Sequence, residues 1–373
     1  MASPPPQDRL QTGAEQTGRY VPLLQGKRVA MVVNQTSVIG NSHEVDSLLA
    51  LGVNIKLIFA PEHGFRGDAD AGAHVSNATD TKTGLPIISL YGKNKKPTAQ
   101  QLQDIDVVLF DIQDVGARFY TYISTMHYVM EACAEQNKQV LVLDRPNPNG
   151  YYVDGPVLEP KYKSFVGMHP IPVVHGLTVG ELALMINGEK WLAGQKSCQL
   201  TVIPVAHYTH RMRYSLPVKP SPNLPNDLAI QLYPSICLFE GTQVSVGRGT
   251  DWPFQVIGSP YYTQKAFSFT PRSVPGATNP PFLNQVCYGK KLGTADIPGK
   301  FSLAFVLDFY QNSSRQQTFF NSNNFFNTLA GTDKLQAQIR AGRSEAEIRA
   351  SWQPALQQYK ALRRKYLLYP DFE

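Results

Sequence analysis

Along the first 150 residues, short apolar runs recur, and each is closed by a cluster of polar side chains. Arg28-Val-Ala-Met-Val-Val-Asn34, Ile55-Lys-Leu-Ile-Phe-Ala60, Pro86-Ile-Ile-Ser-Leu90, Asp106-Val-Val-Leu-Phe-Asp111 and Gln139-Val-Leu-Val-Leu-Asp144 have the length and continuity of strands covered on both faces. Helical patterns separate them: Ser42 to Leu51 closed by Gly52, Thr98 to Asp104 with Thr98 as cap, and Phe119 to Gln136. Strands alternating with helices predict an α/β fold with a parallel sheet. The start of the chain reads as loose, and Asp68 to Thr83 as a loop over the strand ends.

From Tyr151 the texture changes to Pro- and Gly-rich segments with short strands. His175 to Ile186 contains a helix in which Thr178 and Glu181 have capping-box spacing, a structural use for that glutamate. Lys219-Pro-Ser-Pro-Asn-Leu-Pro225 reads as a stiff connector that aims Asn223 at a ligand. Ser235 to Phe239 reads as a strand leading into the glycine-rich segment Glu240 to Asp251. Beyond about Ala266 a smaller unit is expected, with a strand over Phe301 to Asp308 and helices over Phe319 to Leu329, Asp333 to Ala341 and Ser344 to Tyr366. The predicted division is therefore a larger α/β domain over 1–265 and a smaller α+β domain over 266–373.

Composition narrows the class. A chain of 373 residues with 42% hydrophobic and 17% charged residues can bury two cores, and no apolar run is long enough to cross a bilayer. The formal charge of +6 suits anionic partners in general, without any nucleic-acid motif. The basic cluster Lys360-Ala-Leu-Arg-Arg-Lys365 reads as a solvated helix face. Cys133, Cys198, Cys237 and Cys287 lack metal-binding spacing and read as small buried side chains.

The polar strand ends carry the candidate chemistry, because in open α/β sheets the ligand crevice lies beyond the carboxyl ends of the strands. Pro61-Glu-His-Gly-Phe-Arg-Gly67 delivers a carboxyl, an imidazole and a guanidinium together. Glu62 and Glu240, on separate loops, suit acid/base work on a glycosidic bond, with Asp111, Asp114 and Asp144 as competitors for either role. The eight histidines show no zinc spacing. A GxGxxG after the first strand and a GxSxG elbow are both absent, which weighs against a dinucleotide enzyme and a serine nucleophile.

Six ordered blocks carry a resemblance: Pro61 to Gly67, Phe110 to Tyr122, Asp144 to Gly150, Asp154-Gly-Pro156, His175 to Glu181, and Phe239-Glu-Gly-Thr242 with Gly247-Arg-Gly-Thr250. Together they resemble the NamZ-type exo-β-N-acetylmuramidases. The resemblance implies a Rossmann-like amino-terminal domain, an auxiliary carboxy-terminal domain and an active site between them. It implies release of N-acetylmuramic acid from non-reducing ends of peptidoglycan fragments, with Glu62 catalytic, no cofactor and no metal. The second carboxylate stays open between Glu240 and its competitors.

Muramic acid bears a lactyl carboxylate that a guanidinium can bind with two parallel hydrogen bonds, so Arg66, Arg118, Arg145 and Arg248 are candidates to read it. The expected substrate contacts are His63, Arg66, Asp111, Gln113, Asp114, Arg118, Tyr120, Asp144, Asn147, His175, Asn223 and Arg248. Two other classes compete: a wall-binding protein without catalysis and a Rossmann-type nucleotide-dependent enzyme. Substrate drawn from the cell wall leads to the expectation of a periplasmic or otherwise exported protein.

Overall fold

The computed structural model describes residues 9–65 and 77–373. Arg66 and the greater part of the loop expected from Asp68 lie outside the described residues.

Helix α1 (Thr17–Leu24) occupies the start that the sequence pattern leaves loose, and strand β1 (Val29–Val33) follows it. A small hairpin, β2 (Val38–Ile39) with β3 (Ser42–His43), leads into α2 (Glu44–Ala50) and then β4 (Ile55–Ala60). Next come β5 (Ala78–Thr79), β6 (Pro86–Ser89), α3 (Ala99–Leu102), β7 (Val107–Asp111), α4 (Tyr122–Glu135) and β8 (Gln139–Leu143). The chain continues through β9 (Asp154–Val157), β10 (Pro172–Val174), α5 (Val179–Gly188), β11 (Gln199–Ile203) and α6 (Asp227–Ile236). The last part holds β12 (Val256–Ser259), β13 (Ser268–Phe269), β14 (Cys287–Lys291), α7 (Ala304–Gln311), α8 (Phe325–Ala330), α9 (Lys334–Arg340) and α10 (Glu345–Arg363).

Seven strands form the main sheet in the order β11-β8-β7-β1-β4-β6-β5. All neighbours are parallel except the short edge strand β5, which runs antiparallel to β6. From β1 the chain builds outward through β4 to β6, then returns to β7 and builds the other way, as in a Rossmann sheet. Alternate residues of each strand face opposite sides. Ala30, Val32, Phe59, Val108, Phe110, Val140 and Val142 join the larger core with α4 and α5. Val29, Met31, Val33, Ile58, Leu109 and Leu141 join a second core with residues of α1 and α2. Both faces are therefore apolar, which explains why the strands read as continuous runs.

The second unit is a three-stranded antiparallel sheet in the order β12-β14-β13, together with α7 to α9. Residue 265, the expected domain boundary, falls inside this sheet, between β12 and β13. The chain then returns to the first unit. Helix α10 packs on β9, where Arg349 pairs with Asp154 at 2.6 Å, and Tyr359 donates to the His175 carbonyl at 2.6 Å. Arg363 donates to the Gly176 carbonyl at 2.8 and 3.0 Å and pairs with Asp371. The last helix and tail thus fasten the two units together. The basic cluster is only partly a solvated face, because Arg363 is buried.

Two predicted strands are helical. Phe301 to Asp308 runs into α7, where Val306 and Phe309 are buried at i, i+3 spacing. Ser235 to Phe239 is the end of α6 and the 3-10 turn Cys237–Gly241 that follows it. Nearly every residue there is buried, so the apolar run has no visible period and its length alone cannot separate helix from strand. The four cysteines are buried free thiols, as their spacing predicts.

Candidate active site

A cleft of about 800 Å³ lies between the two units. Its amino-terminal wall carries Glu62, His63, Tyr91, Phe165 and the segment Phe119 to Tyr122. Its carboxy-terminal wall carries Tyr233, Cys237, Glu240, Arg248, Phe254 and the segment Gly276 to Phe282. Buried Phe239, Val244, Val246 and Phe254 make an apolar lining.

Glu62 reaches the cleft by a tight turn at the end of β4. The Gly64 N–H donates to the Pro61 carbonyl at 3.0 Å, and His63, third in the turn, has φ +69°. That is the sign pattern of a type II turn, whose third position ordinarily takes Gly or Asn. A histidine there stores strain on the order of 1 kcal/mol or more, and such strain clusters at functional sites. The Thr121 hydroxyl donates to Glu62 Oε2 at 2.7 Å. Thr121 occupies the N-cap of α4, yet its side chain makes no capping bond. The hydroxyl that would cap the helix is directed at the carboxylate instead. Tyr91 also meets this carboxylate, its phenol pushed up by burial and by the charge of Glu62.

Across the cleft, Arg248 Nε donates to Glu240 Oε1 at 2.7 Å, and the Cys237 thiol lies 3.5 Å from Glu240 Oε2. The Arg248 and Glu240 side chains keep 18% and 25% exposure, so both open to the cleft. Burial lowers the Arg248 guanidinium, but Glu240 more than offsets that and holds it above the ordinary arginine value. Burial, then Glu240, pushes the Cys237 thiol well up.

Of the residues predicted from sequence, Glu62, His63, Tyr120, Glu240 and Arg248 line the cleft. Arg66 lies outside the described residues, and Asp111, Gln113, Asp114, Arg118, Asp144, Asn147, His175 and Asn223 are not among the residues that line the cleft. Arg118 is fully buried: its guanidinium donates to the carbonyls of Pro156 and Ile171 at 2.8 Å and of Leu329 at 2.9 Å. Burial alone lowers it to about 9. Arg145 forks onto Asp111 with both Nε and Nη2, and the second contact is 2.6 Å.

Asp111 and Gln113 close the crevice between β1 and β7, where Ser37 donates to the Asp111 carbonyl and the Gln113 N–H donates to the Thr36 hydroxyl at 3.0 Å. A Rossmann nucleotide would occupy this crevice, and the protein fills it with its own polar groups. Asp144 accepts from Thr178 at 2.7 Å, from the Gly180 N–H at 2.8 Å and from the Tyr369 hydroxyl. Burial raises its carboxyl to about 6 against those hydrogen bonds. Asn147 donates to the Leu177 carbonyl, and Asn223 donates to the Gly276 carbonyl at 2.9 Å, bracing the cleft wall from behind.

Asp114 and His175 are buried 4.0 Å apart. Burial raises the Asp114 carboxyl to about 7 and lowers the His175 imidazole to about 3, so near neutral pH the histidine is uncharged. Sequence reasoning missed Tyr91, Thr121 and Cys237. For Thr121 a signal existed, a capping-type residue at a predicted helix start inside a resembling block.

Two family models match the chain, both described as exo-β-N-acetylmuramidase NamZ: the N-terminal one over residues 29–228 and the C-terminal one over 231–369. The peptidoglycan β-N-acetylmuramidase NamZ of Bacillus subtilis (strain 168) is 40% identical, with 97% of this chain and 92% of that protein covered. A crystal structure of a DUF1343 family protein from Bacteroides fragilis superposes with a TM-score of 0.90 at 50% identity, covering 97% of this chain and 99% of the other. A second DUF1343 protein from the same organism gives 0.84 at 31% identity, covering 98% and 100%.

Proposed function

The chain belongs to the NamZ exo-β-N-acetylmuramidase family, and from that premise we propose how its cleft works. It is a peptidoglycan glycosidase that acts as an exo-β-N-acetylmuramidase. The observation that carries the reading at the residue level is the placement of Glu62 and Arg248 on opposed walls of one cleft.

A muramic acid unit offers two handles to such a cleft: the glycosidic oxygen that must be protonated as it leaves, and the lactyl carboxylate. Glu62 serves the first. It stands in a strained turn, where its Oε2 accepts from the Thr121 hydroxyl at 2.7 Å and its carboxyl faces the cleft. General acid catalysis needs a proton donor within hydrogen-bond reach of the departing atom. Arg248 serves the second, and among the described residues lining the cleft it is the only lysine or arginine. The apolar lining suits the ring and the acetamido methyl of a terminal sugar. Attack on a terminal muramic acid unit is the activity of the family to which the chain belongs, and a cleft of about 800 Å³ has room for such a unit.

Incubation with a disaccharide of N-acetylmuramic acid β-linked to N-acetylglucosamine should release both free sugars, read by chromatography. A disaccharide of reversed order should stay intact. Cleavage of the reversed disaccharide, or of internal bonds in long glycan strands, would overturn the terminal reading. Because the substrate is wall material, we also place the natural protein outside the cytoplasmic membrane. Recovery of its activity with cytoplasmic markers after cell fractionation would count against that.

A further inference from the structure

Glu240 was the leading sequence candidate for a second catalytic carboxylate, and its surroundings argue for a different task. Both of its oxygens are engaged, Oε1 by Arg248 Nε at 2.7 Å and Oε2 by the Cys237 thiol at 3.5 Å. A nucleophile or general base must present an unshared lone pair to the anomeric carbon or to a water. A carboxylate sharing its charge with a guanidinium is poorly suited to either.

The same contact suits the arginine well. Guanidinium is a flat fork, and holding it by Nε fixes the plane while leaving the two terminal nitrogens for a carboxylate approaching end-on. Those nitrogens make no hydrogen bond to any described residue. The backbone beneath is equally constrained. Gly247 and Gly249, on either side of Arg248, have φ +80° and +79°. A Cβ on Gly247 would come within 2.6 Å of Val256, and one on Gly249 within 2.5 Å of the Arg272 carbonyl. The Phe254 ring lies 5.1 Å from the guanidinium.

We propose that Glu240 is a positioning residue: with Cys237 it orients Arg248 so that the two terminal nitrogens meet the lactyl carboxylate, and the preference for muramic over glucosamine units is set by this unit. The proposal rests on the reading of Arg248 as the lactyl contact. It separates the walls by task, with recognition on the carboxy-terminal wall and proton transfer on the amino-terminal one.

The test compares 4-nitrophenyl β-N-acetylmuramide with 4-nitrophenyl β-N-acetylglucosaminide, which differ only in the lactyl group. E240A and R248A should each lower the ratio of kcat/KM between them by about tenfold or more, since losing a charge-assisted contact acts mainly on the substrate that makes it. E240Q keeps an oxygen for Arg248 Nε, so it should retain most of the preference and a kcat within about tenfold of wild type, with its defect mainly in KM. As an isosteric change it also guards against misfolding of E240A.

A kcat loss in E240Q of about 10³-fold or more on both substrates, restored by added azide or formate, would make Glu240 catalytic and overturn the proposal. Retained preference in E240A alongside lost preference in R248A would overturn it while sparing the reading of Arg248. Retained preference in R248A would overturn that reading and the proposal with it.

Discussion

The two walls of the cleft use charge in opposite ways. On the amino-terminal wall Glu62 accepts from the Thr121 hydroxyl at 2.7 Å and lies beside the Tyr91 phenol. Hydroxyl neighbours can donate or accept, which is what the proposed role of Glu62 in proton transfer requires. On the carboxy-terminal wall Glu240 faces a permanent cation at 2.7 Å. A fixed ion pair suits recognition. Local partners, rather than the presence of a carboxylate in a cleft, separate the two glutamates.

The largest effect should come from Glu62. E62Q keeps the shape and the Thr121 contact but supplies no proton, so activity on a sugar leaving group should fall about 10²- to 10⁴-fold. The loss should be much smaller on an activated aryl muramide, whose departing oxygen needs little protonation. Equal losses on both substrates would move Glu62 from acid to nucleophile and blur the contrast between the walls.

Arg118 supplies the next test, a buried arginine set against the cleft arginine. Replacing it with methionine leaves three carbonyls without their donor, and each unsatisfied buried group costs about 1 to 3 kcal/mol. R118M should therefore show a clear loss in chemical denaturation, while the muramic-to-glucosamine preference of the folded fraction stays as in wild type. A changed preference would return Arg118 to the binding site.

Thr121 sharpens the amino-terminal wall. T121V removes the hydroxyl at constant volume, and loss of one hydrogen bond, worth about 0.5 to 1.5 kcal/mol, should lower kcat about two- to tenfold. T121S should restore it. Because the hydroxyl does not cap α4, the melting temperature should barely move. A large thermal shift without a kinetic one would assign Thr121 to the fold.

The smallest effect concerns Asp114, behind the amino-terminal wall. Burial raises its carboxyl from the ordinary 3.8 to about 7. Between those values the folded chain keeps a proton that the unfolded chain releases, so stability falls as pH rises through that window. D114N keeps an oxygen for the Gly116 N–H and does not titrate. Its stability relative to wild type should therefore improve from pH 5 to pH 8, by about 1 to 3 kcal/mol in denaturant melts. A pH-independent difference would mean that the proton is not held.

Much of the fold follows from local chemistry. Strand β4 ends at Ala60, where its apolar run stops before Pro61, and Thr98, Thr178 and Ser344 each form the capping box that their spacing implies. Glu62 could be singled out because the strand, the proline and the turn glycine all lie within one short segment. The helical nature of α7 could not be read so surely, since a short apolar run of this kind fits either period.

The sequence by itself determined the parallel sheet, the strand ends at which chemistry could occur, the helix caps and, through six ordered blocks, the family. Only the tertiary structure decided which polar strand ends reach the cleft. Arg118 and Arg248 each lie in a short glycine-containing polar segment, and nothing local distinguishes them. Their burial is set by distant parts of the chain: Leu329 accepts from Arg118 across 211 positions, whereas Arg248 is left facing a cleft whose other wall begins at Glu62. Asp111, Asp144 and Glu240 likewise share a residue class and a polar setting, yet Arg145, Tyr369 and Arg248 give each a different partner. Strand and cap signals depend on neighbours in sequence and can be read there. Burial and charge pairing depend on neighbours in space, which exist only once both units and the returning tail have packed.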